Sequence, residues 1–316
     1  MMNLSEYRRS ATKLADFLPW AALVGEGVVL NKDGSLQRTA QFRGPDLDSA
    51  VPAELVGVAG RLNNALRRLG SGWAVFVEAQ RHPASKYPES LFPDVASALV
   101  DFERRAEFEE EGAHYESSYF LTFLYLPPPE DAARAERFLY EGRAESAGAD
   151  AREVLRGFID RTDRVLQLVE GFMPESGWLD DGETLTYLHS AISTNRHRVR
   201  VPETPIYLDA LIADQPLIGG LEPMLGNSHL RVLTVVGFPT VTTPGILDEL
   251  NRLAFAYRWS TRAIMLDKTD ATRLLVKIRR QMVRQTQIDR RNPEGGDDER
   301  GLGPGRYRCP QQGDGR

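Results

Sequence analysis

Cysteine occurs once in the 316 residues, at Cys309 close to the C-terminus. Disulfides, thiolate zinc sites and cysteine nucleophiles are thereby excluded from everything before it, and the composition suits a reducing compartment. Lysine is scarce: five occur (Lys13, Lys32, Lys86, Lys268, Lys277), and none follows a glycine. A phosphate-binding loop needs Gly-x-x-x-x-Gly-Lys-Ser/Thr, in which backbone amides wrap the phosphate and the lysine neutralises it. No such loop is present, and Gly25-Glu26-Gly27 lacks the third glycine and the following helix of a dinucleotide fingerprint. Long apolar runs are missing too. The best candidate, residues 14–30, is broken by Asp16, Pro19 and Glu26, short of the ~18 residues that cross a bilayer. Arg8, Arg9 and Lys13 precede it as in a signal peptide, but Asp16 and Pro19 interrupt the apolar region and no small-residue cleavage site follows, which reads as a mature cytoplasmic N-terminus.

Charge of one sign is not concentrated anywhere. The formal net charge of −6, with 41% apolar and 27% charged residues, is ordinary for a globular chain. No basic stripe is present to neutralise a phosphate backbone, so no direct nucleic-acid binding is expected. The one basic cluster is Arg196-His197-Arg198-Val199-Arg200, read as a solvated loop. The five histidines, His82, His114, His189, His197 and His229, include no His-Glu-x-x-His; two of them eight apart, His189 and His197, do not make a zinc site. Asp46, Asp48, Asp180 and Asp181 read as turn acids, and adjacent carboxylates such as Asp180 and Asp181 seldom converge for acid–base work. Ser117-Ser118 and Ser228-His229 lack the flanking glycines of a hydrolase elbow. These residues therefore predict no catalytic, cofactor-binding or metal site. The candidate docking residues are Leu14, Phe17, Leu18 and Trp20, an apolar cluster that either packs on its own domain or meets a partner.

What is present is a clear alternation of elements. Gly27 to Phe42 predicts a hairpin turning at Asp33-Gly34. Pro52 to Leu69 predicts a helix with Leu55, Val58, Leu62, Leu66 and Leu69 on one face and Gly70 as its stop. Strands follow at Trp73–Ala79 and Ser118–Leu126, with a helix from Pro93 to Glu111 between them. Residues 130–173 read as helical, then come a helix at Gly182–Ser193, strands at Ile206–Ile212 and His229–Phe238, a helix at Thr243–Ala254, a strand at Arg258–Leu266 and a helix starting near Asp267 or Thr269. The pattern predicts an α+β fold of split βαβ, ferredoxin-like units, with a mixed sheet and helices mainly on one face. The expected domains are 1–129, a mainly helical connector at 130–205, a second βαβ block at 206–281 and a disordered tail at 282–316. From Met282 onward only Met282, Val283, Ile288, Leu302, Tyr307 and Cys309 are apolar, too few to offset the entropy of ordering a backbone.

Several stretches together resemble the TrbE members of the CagE/TrbE/VirB family, the ATPases of conjugative type IV secretion systems. They are Leu18-Pro-Trp-Ala-Ala-Leu-Val24, Gly27-Val-Val-Leu-Asn-Lys-Asp-Gly-Ser35, Phe42-Arg-Gly-Pro-Asp-Leu-Asp48, Trp73-Ala-Val-Phe-Val-Glu78, Tyr187-Leu-His-Ser190, Tyr207-Leu-Asp-Ala-Leu211, Gly237-Phe-Pro239, Leu250-Asn-Arg-Leu-Ala254, Tyr257-Arg-Trp-Ser-Thr261 and Leu266-Asp-Lys-Thr-Asp-Ala271. They span essentially residues 1–281 in order. The resemblance implies a large ATPase whose N-terminal and central assembly region precedes a motor that binds ATP and magnesium. It implies self-association, inner-membrane secretion components as partners, and a place peripheral to the inner membrane on its cytoplasmic side. The family's nucleotide-binding residues have no counterpart here, so the chain itself is expected to be no enzyme and to hold no cofactor. A free-standing regulatory or decoy subunit that co-assembles with full-length TrbE is the alternative.

In that family Arg-Arg-Gln is followed by a Trp-Phe-rich basic helix. Met282-Val283 must be encoded ATG-GTN, and reading one base later turns the first codon into TGG, tryptophan. The expectation is therefore one inserted base after Gln281, a truncated chain, and a tail of frame-shifted residues; the nucleotide sequence around codon 281 decides it.

Overall fold

The computed structural model describes residues 13–45, 50–84, 87–109, 114–128, 145–204, 206–235, 237, 241–243 and 245–291. The chain divides into two compact units, Met1–Arg231 with Thr243–Asp267, and Val232–Thr242 with Lys268–Arg316.

In the first unit a short helix α1 (Leu14–Phe17) leads into β1 (Trp20–Gly25), β2 (Val28–Asn31) and β3 (Leu36–Arg43). Helix α2 (Pro52–Leu66) then crosses to β4 (Trp73–Pro83), helix α3 (Val95–Phe108) to β5 (Tyr115–Tyr125), and α4 (Glu145–Glu170) to β6 (Glu175–Trp178). Helices α5 (Asp181–Ser190) and α6 (Leu208–Ile212) follow, then β7 (Leu217–Ile218), β8 (Met224–Leu225), β9 (Ser228–His229) and finally β10 (Tyr257–Ile264). The main sheet runs β1-β2-β3-β5-β4-β10, with β6 paired to β3; β7, β8 and β9 form a small separate sheet. Every pairing is antiparallel among the described residues. Because β5 lies between β3 and β4, the unit β3-α2-β4 is a split βαβ, as the sequence predicts.

Period-2 alternation divides the core into two layers. Val28, Leu30, Leu36, Trp73, Val75, Leu121 and Phe123 pack with Ala65 and Leu69 of the α2 region and Phe158, Val165 and Val169 of α4. The intervening residues Val29 and Phe120 pack on the opposite face with Leu185, Tyr187 and Leu188 of α5 and Leu208 and Ile212 of α6. The sheet is thus covered on both faces, the two longest helices of this unit, α2 and α4, lying together on one and the shorter α5 and α6 on the other. Local chemistry sets the ends: Pro52 opens α2, Asp94 caps α3, and Asp180 with Glu183 forms a capping box on α5.

Four readings change. Ile206–Ile212 is not a strand; one helical turn buries Leu208 and Ile212 four apart on the α5 side, a choice that a short apolar run leaves undecided. The expected strand His229–Phe238 is reduced to the β9 bridge, with Val232, Leu233 and Val235 exposed and residues 236 and 238 outside the described set. The expected helix at Thr243–Ala254 is a short 3-10 turn, Asp248–Arg252. In the second unit, helix α7 runs from Lys268 to Arg291, ten residues into the stretch expected to be disordered. Arg, Gln and Met are good helix formers, and Asn292-Pro293 follows where a helix must end. Strands β1 and β6 had no clear sequence signal. β6 from the expected connector and β10 from the expected second block both join the sheet built by residues 20–125.

Gly27 closes the β1–β2 turn at φ +64°, where an added Cβ would collide with the Leu179 carbonyl oxygen. Its N–H donates to Asp181 Oδ1 at 2.7 Å. Gly27→Ala is expected to destabilise the chain by about 2 kcal/mol or more, from the left-handed backbone alone plus the clash; an unchanged urea midpoint would contradict this placement.

Candidate interaction site

Glu78 stands in the middle of an apolar strand, only 5% exposed. A buried carboxylate is costly unless paired and hydrogen-bonded, and here every neighbour supplies a donor. Arg258 of β10 grips it with both arms, Nε to Oε1 and Nη2 to Oε2, each at 2.6 Å. Gln80 Nε2 donates to Oε1 at 2.7 Å, and the Tyr187 hydroxyl of α5 donates to Oε2 at 3.3 Å. Thr39 and Thr122 lie 2.9 Å apart, and Thr122 lies 3.4 Å from the Tyr187 hydroxyl, so a chain of hydroxyls runs from Thr39 through Thr122 and Tyr187 to Glu78. Ser190 Oγ donates to Gln80 Oε1 at 3.3 Å, and the Arg258 guanidinium lies 5.6 Å from the Tyr187 ring centroid. Burial first, then the Glu78 charge, pushes the Tyr187 phenol up to about 12, with Arg258 partly opposing.

Beside this network, the end of α5 meets the loop before β7. Asp214 Oδ2 accepts from Asn195 Nδ2 at 2.9 Å and Ser193 Oγ at 3.1 Å. His189 Nε2 comes within 3.2 Å of the same oxygen without the alignment of a hydrogen bond. Burial raises the Asp214 carboxyl, yet these donors together outweigh it and hold the group below its ordinary value. The His189 and His197 rings touch at 4.4 Å between centroids, and Arg196 is lowered by partial burial and by the Arg258 charge. The first residue of the basic cluster 196–200 therefore lies near enough to Arg258 to feel its charge. Among the described residues no group of three or more His, Cys, Asp or Glu could hold a metal ion.

A second corner ties α1 and α6 together. Lys32 Nζ pairs with Asp209 at 2.8 Å and donates to the Ala15 carbonyl at 3.1 Å. Of the four candidate docking residues, Leu18 is buried, Leu14 and Trp20 pack against the same cluster, and only Phe17 is open, at 63% exposure. Trp20 Nε1 also donates to Gln37 at 3.3 Å. Asp180 caps α5 and Asp181 accepts from Gly27, so neither is free for acid–base work; Asp46 and Asp48 lie outside the described residues. Sequence reasoning missed Glu78, Gln80 and Arg258 as a site. The available signal was a lone acid interrupting the run Trp73–Ala79, facing inward by parity.

The N-terminal domain of the type IV secretion system ATPase VirB4/TrbE matches residues 27–133. The conjugal transfer protein TrbE of Rhizobium radiobacter is 34% identical over 296 residues, which is 89% of this chain and 36% of that protein. In Sinorhizobium fredii a probable conjugal transfer protein TrbE is divided into two chains. The first of these is 40% identical over 148 residues, and this chain covers 99% of it. The chain belongs to the TrbE family. It also matches 15% of the second Sinorhizobium fredii chain, at 38% identity over 98 residues. Relative to the Rhizobium radiobacter TrbE, the chain spans about a third of the length (36%). The matched domain contains Glu78, whereas its partners Arg258 and Tyr187 lie beyond residue 133.

Tyr187 is expected to ionise near pH 12, above exposed tyrosines. Its neutral form stabilises the fold fully below the unfolded phenol value of about 10, and that stability is lost as pH rises from there through the folded value. An ultraviolet difference titration of the chain against Tyr187→Phe reads this; a Tyr187 signal moving with the exposed tyrosines would contradict the buried network.

Proposed function

We propose that the chain is the assembly and docking region of a type IV secretion ATPase of conjugal transfer, and that it does not hydrolyse nucleotide itself. The observation that carries this reading is the state of α3. It buries no residue, and Val95, Leu99 and Phe102, spaced along one helical face, are 86%, 58% and 68% exposed, with Leu91 beside them fully open. An unpaired apolar stripe of this kind marks a protein interaction surface. Phe17 offers a smaller apolar point elsewhere on the same unit.

The family names supply a setting of conjugal transfer and type IV secretion, which the proposal extends to the membrane. Partners are inner-membrane components of a type IV secretion system, reached from the cytoplasmic side with the chain peripheral to the membrane; no helix among the described residues is long and apolar enough to cross a bilayer. ATP and magnesium belong to the motor of the full-length family, and these 316 residues contain no Gly-x-x-x-x-Gly-Lys-Ser/Thr. A second reading, a free-standing subunit that joins full-length TrbE and tunes it, draws on the Sinorhizobium fredii relative that is split into two chains.

The purified chain is expected to show no magnesium-dependent ATP turnover above background and no saturable ATP uptake in calorimetry; either activity would overturn the motor-free reading. Capture of membrane secretion components is expected to drop by about tenfold or more for Leu99→Glu with Phe102→Glu, because each buries a charge in an apolar contact. Unchanged capture would remove α3 as the docking face. Co-purification with full-length TrbE, insensitive to the α3 changes, would favour the regulatory subunit.

A further inference from the structure

β10 ends the main sheet, pairing among the described residues with β4 on one side only. An edge strand presents a row of unpaired backbone groups, and folded proteins blunt such edges with proline, bulges, short length or inward-pointing charge. This edge lacks the first three, and its one inward charge is neutralised by a buried partner. Its eight residues contain no proline, its register with β4 is continuous from Tyr257 to Ile264, and Arg258 is occupied by Glu78, leaving Arg262 as its only other charge. Ser260 through Ile264 are exposed.

The geometry assigns which backbone groups are open. Met265 N–H donates to the Trp73 carbonyl at 2.9 Å, and these two residues continue the register in which Ile264 faces Ala74. Bonded and non-bonded pairs alternate along an antiparallel ladder. Ala263, Thr261 and Trp259 therefore direct their N–H and C=O groups to β4, and Arg258, Ser260, Arg262 and Ile264 direct theirs outward.

We propose that two copies of the chain associate edge to edge through β10, antiparallel about a two-fold axis at Thr261, so that the two sheets become one. A two-fold axis normal to a sheet keeps each residue's face, so the choice of register is limited to axes centred on a single residue. With the axis at Ser260, Arg258 of each copy would face Arg262 of the other; with the axis at Arg262, that arginine would face itself. Like charges directly opposite are destabilising. Centred on Thr261, Ser260 faces Arg262, Trp259 faces Ala263, Arg258 faces Ile264, and threonine faces threonine, a favourable cross-strand pair. The four outward-directed residues then meet one another as bonded pairs, and no charge is opposed by its own sign. A closed two-fold contact also uses up the edge on both copies, so it ends at a dimer rather than a filament. This association rests on the sheet alone and is independent of the ATPase reading.

The test uses the full chain with Cys309→Ser. Thr261→Cys places the two sulfurs in a non-bonded pair, about 4.5 Å between Cα atoms, within the range a disulfide spans. Ala263→Cys places its own copies about 13 Å apart along the strands. Sedimentation at micromolar concentration is expected to show twice the chain mass of 35.4 kDa, and mild oxidation is expected to cross-link most of Thr261→Cys and little of Ala263→Cys. Arg262→Pro removes one outward N–H without touching the β4 ladder, and it should weaken the dimer by tenfold or more with its urea midpoint kept. A monomer at every concentration, a dimer in which position 263 links as readily as 261, or a dimer untouched by Arg262→Pro would each overturn the proposal.

Discussion

The burial of one carboxylate organises the first unit. Glu78 sits where β4 needs an apolar residue, and its charge is tolerable only because a guanidinium, an amide and a phenol converge on it. Those groups come from β10, β4 itself and α5. Breaking a buried ion pair by removing one partner costs about 3–5 kcal/mol, whereas the intact pair contributes far less net stability. The pair therefore acts as a condition on the fold more than as a source of stability. It requires β10, far from β4 along the chain, to occupy the sheet edge (the Arg258–Glu78 bond spans 180 positions). It also requires α5 to lie across the opposite face from α2 and α4. The matched family domain, residues 27–133, holds the acid without its two strongest distant partners. In this chain the cooperative unit must extend to β10.

The other long-range polar ties follow the same logic at lower stakes. Arg38 reaches from β3 to Asp163 on α4 at 2.7 Å while lying 4.0 Å over the Trp178 ring of β6, fastening the first face. Gly27 to Asp181 and Lys32 to Asp209 fasten the second. The words by which the sequence resembles its family, around residues 18–35, 73–78, 187–190, 207–211 and 257–261, supply most of these contacts. They are fold-holding residues, whereas the apolar side chains of α3 and the outer backbone edge of β10 make no such contacts among the described residues.

The sequence made the hairpin at Asp33-Gly34, the α2 stripe and the strands β4 and β5 legible, because each is written in local periodicity or turn chemistry. It failed where tertiary packing decides. The run around Leu208 is strand-like by composition, but Leu208 and Ile212 fill one spot on the α5 side only as a helical turn. Residues 229–238 read as a strand, yet among the described ones only His229 joins a ladder, because strand propensity is largely a measure of available neighbours. The apolar cluster at 14–20 could be read as core or as docking surface; Leu18 is in the core and Phe17 is not, a distinction set by α6 and the α5 layer rather than by any local pattern. The Glu78 site was visible only as an anomaly, a lone inward acid whose partner no spacing rule could locate.

The coupling between Glu78 and Arg258 tests this account most directly. A double-mutant cycle in urea, using Glu78→Gln, Arg258→Met and the pair together, isolates their interaction from the separate losses. The account predicts each single change to cost about 3 kcal/mol and the double change to cost little more than either alone, a coupling of about 2–3 kcal/mol. Strictly additive losses would mean that β10 is not held to β4 through the buried carboxylate, and the organisation described for the first unit would not stand.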